Sequence, residues 1–311
     1  MDELETRELR YFVAVAEELN FSRAARRLNM AQPPLSKAIR GIEGKLGVAL
    51  LHRNTRKVEL TDAGAVLLAE SRKALDAVAA ATRKTLRAKE KPELIVGMKP
   101  DGDGGLLHKI IAEYAAERLP PARVRIGGVG DEVAMLRDGR ADVAVLREPF
   151  DSAGLDWEPL ASEPRMVALA ASHPLAHRRR LRLADVRAEP VPRWRDNGCA
   201  NADVIAYWTG RDSAPGTPPA SPGPEVDGID QLLEVIRFGQ GIAFLPASIE
   251  HRHPRCGVVY RPMTGLSSSR VVVAWQQQSR SPAVAAFVRA AVDVAANEIA
   301  ESDGAAVTAL A

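Results

Sequence analysis

Four side chains within nine residues have the chemistry to read a nucleic acid. Gln32 and Ser36 can hydrogen-bond base edges, Arg40 can reach a base bidentately, and Lys37 can neutralise a phosphate. They lie in "FSRAARRLNMAQPPLSKAIRGIEGKLG", residues 21–47, behind Ser22 and Arg23 and ahead of Arg53, Arg56 and Lys57. Residues 20–57 hold nine basic side chains and one acid, Glu43. That segment carries +8 in a chain of net charge +2, so the remainder carries −6. A basic segment on an otherwise acidic chain is the electrostatic footprint of a polyanion binder.

Helices must position these groups. Leu9, Phe12, Val13, Ala16 and Leu19 recur at helical spacing after Thr6, a cap candidate. Ser22 is placed to cap a second helix over 23–28. Leu35, Ile39, Ile42 and Leu46 form the apolar stripe of a third, which Gly47 ends. Pro33 and Pro34 mark its first turn, where a missing N–H costs nothing. Two short helices joined by a tight turn, the second offering polar groups at its N-terminus, make a helix-turn-helix. "LLHRNTRKVELT", 50–61, reads as two short strands around a polar turn: a wing carrying Arg53, Arg56 and Lys57.

Thr61 is placed to cap a long helix over 62–89. Leu68, Leu75 and Thr82, with Val78 and Thr85, give it a short heptad seam. From "PELIVG" onward strands and helices alternate, which predicts α/β layers with mainly parallel sheets. Strands are expected at 94–97, 123–127, 142–146, 166–170, 242–245, 257–260 and 270–275. Helices are expected near 105–118, 131–138, 202–208, 229–238 and 282–298. "SAPGTPPASPGP", 213–224, reads as a loop, and residues 301–311 as a frayed tail.

At 311 residues and 46% hydrophobic composition the chain has the profile of a soluble protein of two or three units. Two cysteines make no disulfide framework, and no apolar run approaches the ~20 residues of a membrane span. "MDELETRELR" is unlike a secretory leader, so the expected compartment is the cytoplasm. No G-x-S-x-G, P-loop or HExxH is present, and "GGVG" at 127–130 lacks dinucleotide-loop spacing. The chain is therefore read as a non-enzyme without a cofactor. "HRHPRC", 251–256, offers His251, His253 and Cys256, a weak constellation for a metal, and no metal is assigned.

Residues 9–64, "LRYFVAVAEELNFSRAARRLNMAQPPLSKAIRGIEGKLGVALLHRNTRKVELTDAG", resemble the N-terminal domain of LysR-type transcriptional regulators without a gap. The resemblance implies a winged helix-turn-helix over 1–61, a dimerisation linker helix over 62–90 and an effector-binding domain over 91–300. That last domain would resemble a periplasmic solute-binding protein, with subdomain one at 92–162 plus 267–298 and subdomain two at 163–266. It further implies a homodimer or homotetramer on a near-palindromic site in double-stranded DNA, with a small-molecule effector between the subdomains. Since ligands sit beyond the carboxyl ends of α/β strands, the expected effector residues are Lys99, Pro100, Asp101, Gly128, Gly130 and Arg147. Arg193, Asn201, Asp227 and Gly228 face them from the other side. Asp101, Asp103 and Asp131 in this region argue against a simple carboxylate as effector and favour a polar neutral or amine-bearing one, unless they are helix caps turned to solvent. The family's peroxide-sensing branch implies one alternative, a redox sensor using Cys199, although Trp208 stands where its resolving cysteine would be. A solute-binding protein would account for the second half only.

Overall fold

The computed structural model describes residues 3–53, 57–195, 202–213 and 221–308, with 53, 299 and 301–308 as backbone alone. Two compact units divide the chain: Met1–Glu90 with Arg137–Gly139, and Lys91–Leu136 with Arg140–Ala311.

The first unit begins with helices α1 (Thr6–Glu18), α2 (Phe21–Arg27) and α3 (Gln32–Leu46). Two caps differ from expectation. Glu5, not Thr6, caps α1, in a reciprocal box with Glu8, whose carboxylate accepts the Glu5 N–H at 2.9 Å. Asn20, not Ser22, caps α2, because its side-chain oxygen reaches the Arg23 N–H at 3.0 Å while Ser22 already lies inside the helix. Pro33 and Pro34 do occupy the first turn of α3, and Gly47 ends it in the left-handed region at φ 67°. The predicted stripe packs inward: Leu35, Ile39 and Ile42 are fully buried with Phe12, Val15, Ala24 and Leu50. Each such large side chain is worth ~1.5–3 kcal/mol of transfer free energy.

The wing is a hairpin of β1 (Leu51–Arg53) and β2 (Val58–Leu60), pairing Leu51 with Leu60. Glu43, the lone acid of the basic segment, pins its start by accepting the Leu50 and Leu51 N–H groups at 3.0 and 3.3 Å. Thr61 caps α4 (Asp62–Arg87), accepting from Gly64 N–H at 2.9 Å. A Cβ on Gly64 would stand 2.1 Å from the Leu50 carbonyl oxygen, so only glycine lets α4 approach the wing this closely. The heptad seam is only partly free, because Leu68 packs on the unit's own core. Thr82 and Thr85 bond back to the Val78 and Ala81 carbonyls, while Val66, Val78 and Leu86 remain exposed.

Among the described residues the second unit holds two larger sheets and one two-stranded sheet. The first is built from β3 (Leu94–Met98), β4 (Ala122–Ile126), β5 (Val143–Arg147), β6 (Leu155–Glu163) and, far along the chain, Ser269–Gln276. Helices α5 (Leu107–Tyr114) and α6 (Asp131–Arg137) lie between its early strands. The second sheet uses β7 (Arg165–Ala170), β8 (Leu181–Arg182), Ala243–Pro246 and Val258–Thr264. Between them come α7 (Leu183–Val186), the parallel pair β9 (Val191–Trp194) and β10 (Pro222–Val226), α8 (Ala202–Trp208), α9 (Ile229–Arg237) and α10 (Ser248–Arg252). In chain order the late strands are β11 (Ala243–Pro246), β12 (Val258–Thr264) and β13 (Ser269–Gln276), followed by α11 (Pro282–Thr308).

The sheets are mixed, not mainly parallel. The first has order β4-β3-β5-β13-β6, with β3 parallel to β4 and β5 but β13 antiparallel to both its neighbours. The reason is connectivity. The chain leaves this sheet after β6 and returns as β13 from the same end, so no crossover helix turns it round. Alternate residues of the inner strands serve two cores. Val96, Val143, Val145, Val271 and Val273 pack with Ile110 and Phe287 on one face, while Ile95, Ala144, Leu146 and Val272 pack with Met135 on the other. Burial on both faces explains why these strands read as unbroken apolar runs.

Sequence periodicity did not find β6, β8, β9, β10, α7 or α10. "LDWEPLASE" carries a proline and alternates poorly; it survives as an edge strand whose register shifts near Pro159, where no ladder N–H is available. β10 begins inside the stretch read as a loop, while 214–220 lie outside the described residues. Helix α11 continues to Thr308, with 301–308 helical in backbone; no proline interrupts its alanine-rich run. Residues 309–311 lie outside the described residues.

Candidate nucleic-acid interface and ligand cleft

On α3 the side chains Gln32, Pro33, Pro34, Lys37 and Arg40 are exposed and Ser36 is half-buried, opposite the apolar stripe. The basic segment sorts into two groups. Arg23 pairs with Glu18 at 3.0 Å, Arg27 with Glu17 at 2.7 Å, Lys45 with Glu8 at 2.8 Å and Lys57 with Glu59 at 2.6 Å. The Lys45 ammonium and the Glu5 N–H hold the Glu8 carboxyl below the usual carboxylate range. Among the described residues, Lys37 and Arg26 have no ion-pair partner, and Arg40 bonds only the Ser36 carbonyl, at a long 3.4 Å. The +8 of the linear window therefore overstates the field, because Glu8, Glu17, Glu18 and Glu59 lie outside the window and fold back onto it. Arg26, exposed on α2 and not singled out from sequence, joins the free cations. Ser22 is exposed at the start of α2. Arg53 ends β1, described as backbone alone, and Arg56 lies outside the described residues.

The second candidate site sits beyond the carboxyl ends of β3, β4 and β5. Lys99 follows β3 directly and is half-buried, with its ammonium 5.7 Å from the centroid of the Trp208 ring on α8. Burial pushes the Lys99 ammonium down from the ordinary lysine value; Glu132 opposes that push and Arg147 adds to it. Glu132, in the first turn of α6, is almost wholly buried, and burial raises its carboxyl against the opposing pull of Lys99. Nothing in the sequence singled out Glu132. An acid in a helix's first turn looks like an ordinary dipole partner, and only the packing shows that it faces a buried lysine.

Arg147 is buried at the end of β5 and is not a free cation. Its guanidinium donates to Glu163 at 2.7 Å and to the Ser269 hydroxyl at 2.7 Å. Glu163 also accepts from the Ser248 N–H and hydroxyl at 2.6 and 2.9 Å. Glu163 and Ser269 flank the two chain crossings between the sheets, so Arg147 is bound into the hinge. Arg165, missed from sequence, does the same from the other side. It is fully buried, bonds Asp212 at 2.8 Å and the Ser267 carbonyl at 2.7 Å, and stacks 3.9 Å from the Tyr207 ring. The Tyr207 hydroxyl is buried beside Ser269 with no group in hydrogen-bond geometry to it among the described residues, and burial raises its pKa.

The other expected cleft residues are scattered. Pro100 is exposed; Gly128 and Gly130 form the turn before α6, with Gly130 at φ 84°. Arg193 is exposed on β9. Asp227 pairs with Arg195 at 3.0 Å, and Gly228 caps α9. Asn201 lies outside the described residues, as does Cys199.

Residues 6–65 match the family described as "Bacterial regulatory helix-turn-helix protein, lysR family", and residues 87–296 match the "LysR substrate binding domain". The chain belongs to the LysR family. It is a DNA-binding LysR-type transcriptional regulator with an effector-binding domain. It is 32% identical over 298 residues to the Hca operon transcriptional activator HcaR of Escherichia coli, covering 92% of this chain and 96% of that protein. It is 30% identical to the transcriptional regulator AlsR of Bacillus subtilis, covering 92% and 94%. Among solved structures, full-length BenM aligns over 95% of this chain and 97–98% of that one, at 27% identity and TM-score 0.56.

The three acids beside this site each have a partner within the protein. Asp101 is spent on His253 and Asp103 on Arg252, at 2.7 and 3.3 Å, and Asp131 accepts the Gly128 N–H at 2.8 Å. That pairing occupies His253 Nε2, and Cys256 is exposed three residues on. Trp208 is packed edge-on to Trp194, at 5.5 Å between centroids. Among the described residues, no helix is long and apolar enough to cross a membrane.

Proposed function

We propose that this LysR-type regulator reads a near-palindromic promoter site as a homodimer or homotetramer, through α3 in the major groove and the wing on the backbone. Unit boundaries at 1–61, 62–90 and 91–300 fit this division, with α4 as the dimer helix. The observation that carries the reading is the free cationic face of α3. Lys37 and Arg40 stand exposed above a fully buried stripe, while other cations of the segment are already neutralised within the protein. Gln32, Ser36 and Arg40 then select sequence, and Lys37, Arg26, Arg53, Arg56 and Lys57 supply affinity. The effector occupies the cleft beside Lys99, Glu132 and Trp208, with Arg147 linking that site to the hinge. A regulator without catalytic activity, working in the cytoplasm, is the role these parts serve.

The test is a gel shift with promoter fragments at two salt concentrations. Arg40→Ala should relax one position of the site and cost ~1–3 kcal/mol there. Lys37→Ala should weaken all sites about equally and reduce the salt slope by roughly one unit. A Lys37→Ala protein with unchanged affinity and salt slope would remove α3 as the reader.

A further inference from the structure

One loop carries polar contacts from the first sheet's subdomain to the second's. It follows β3 and reads Lys99-Pro100-Asp101-Gly102-Asp103-Gly104-Gly105. Lys99 lies over Trp208 of α8. Asp101 Oδ2 meets His253 Nε2 at 2.7 Å, and Asp103 Oδ1 accepts from Arg252 Nη1 at 3.3 Å. Arg252 ends α10 and His253 follows it. None of these polar side chains belongs to either subdomain's apolar core, so both cores are complete without the contacts.

The loop's backbone is shaped for this engagement. Asp101 holds φ 60°, a region that few L residues other than Asp and Asn visit, and Gly104 and Gly105 hold 63° and 90°. At Gly105 a Cβ would stand 2.4 Å from the Arg252 guanidinium, so the absence of a side chain is what lets Arg252 lie against the loop. The four side chains of these pairs retain only 15–25% of their exposure. Pairs this sheltered are screened less by salt than surface pairs are.

We propose that the Lys99–Gly105 loop is a strap that holds the cleft shut in the effector-free protein, with Asp101–His253 and Asp103–Arg252 as its fastenings. Ligand entry then requires these two pairs to part, and their strength sets how often the cleft opens. The inference rests on the cleft being the effector site and adds what controls access to it.

Hydrogen exchange on the effector-free full-length chain tests it. Asp101→Asn with Asp103→Asn keeps the size of the side chains, and asparagine tolerates the left-handed backbone. The strap predicts roughly tenfold faster exchange both in the loop, at Gly102 and Leu106, and in α10, at the His253 N–H bonded to the Ile249 carbonyl. The β13 amides should be unchanged. Asp103→Arg alone should also loosen α10, and adding Arg252→Asp should restore protection there. Faster exchange confined to the loop, or a swapped pair no better protected than Asp103→Arg, would overturn the strap. No effector is used, so this outcome is independent of the site assignment. That assignment fails separately, if Lys99→Ala and Glu132→Gln leave the effector response intact while the exchange pattern stands.

Discussion

The DNA reader and the ligand cleft handle charge in opposite ways. On α3, Lys37 and Arg40 are exposed and have no acidic partner among the described residues, over a core that needs nothing from them. In the cleft, Lys99, Glu132, Arg147 and Arg165 are half-buried to fully buried and answer one another or nearby acids. The reader waits for an external polyanion and gains when phosphates replace mobile counter-ions. The cleft's charges already have partners within the protein. The first site can be altered without touching the fold; the second cannot.

The largest expected effect breaks the cleft. Arg165→Ala leaves Asp212 without its partner and should cost ~3–5 kcal/mol, as removing one member of a buried pair does. All four tryptophans, Trp157, Trp194, Trp208 and Trp275, lie in the second unit, so urea unfolding followed by tryptophan fluorescence reads that unit alone. A loss under 1 kcal/mol would mean that Asp212 rehydrates and that the cleft resembles the reader after all. The next effect belongs to the reader. Arg40→Ala should lower affinity for its site by ~1–3 kcal/mol yet shift stability by no more than about 0.5 kcal/mol, measured by gel shift and melting together. A large stability loss would show that α3's outer face carries the fold. Smaller still is Gly44→Ala. Its Cβ would meet nothing within 4 Å in a helix interior, so the reader should gain ~0.5–1 kcal/mol, seen as a raised melting point by circular dichroism.

The smallest effect sharpens the cleft's internal pairing. Glu132 raises the Lys99 pKa, so Glu132→Gln should let the Lys99 ammonium fall further below the ordinary 10.5, observable by NMR of its side-chain resonances. The linkage has a definite sign. Glu132 titrates higher in the fold than its ordinary 4.5, so the folded state holds the extra proton. Its contribution is present below 4.5 and is lost as pH rises through the raised value. The decline in stability over that window should be shallower in Glu132→Gln; an unchanged slope would place the proton elsewhere.

Much of the reader was legible because its signals are local. The Leu35–Ile39–Ile42 stripe, the prolines in the first turn of α3 and Gly47 at its end each act within one or two turns of helix. The caps show the limit of that legibility. Thr6 and Ser22 are good capping types, but Glu5 and Asn20 sit at the right distance from the N3 amides and take the role. Lys99 and Arg147 could be placed at strand ends because the strands of an α/β sheet can be located from apolar runs. Glu132, Arg165 and Arg252 carried no such signal, and His253 stood out only beside His251 and Cys256, since their partners lie far off in the chain: Arg252 is 149 residues from Asp103.

Sequence by itself determined most of the helices and the inner strands, that a basic segment precedes an α/β domain, and which family's pattern residues 9–64 carry. Tertiary structure alone decided which charges are free. The same nine cations and their acids admit many pairings, and the linear count cannot tell Lys37, left to solvent, from Lys45, neutralised by Glu8. That choice depends on which helices pack together, because Coulomb attraction at salt-bridge distance is decided by the fold's geometry and by how much water it excludes.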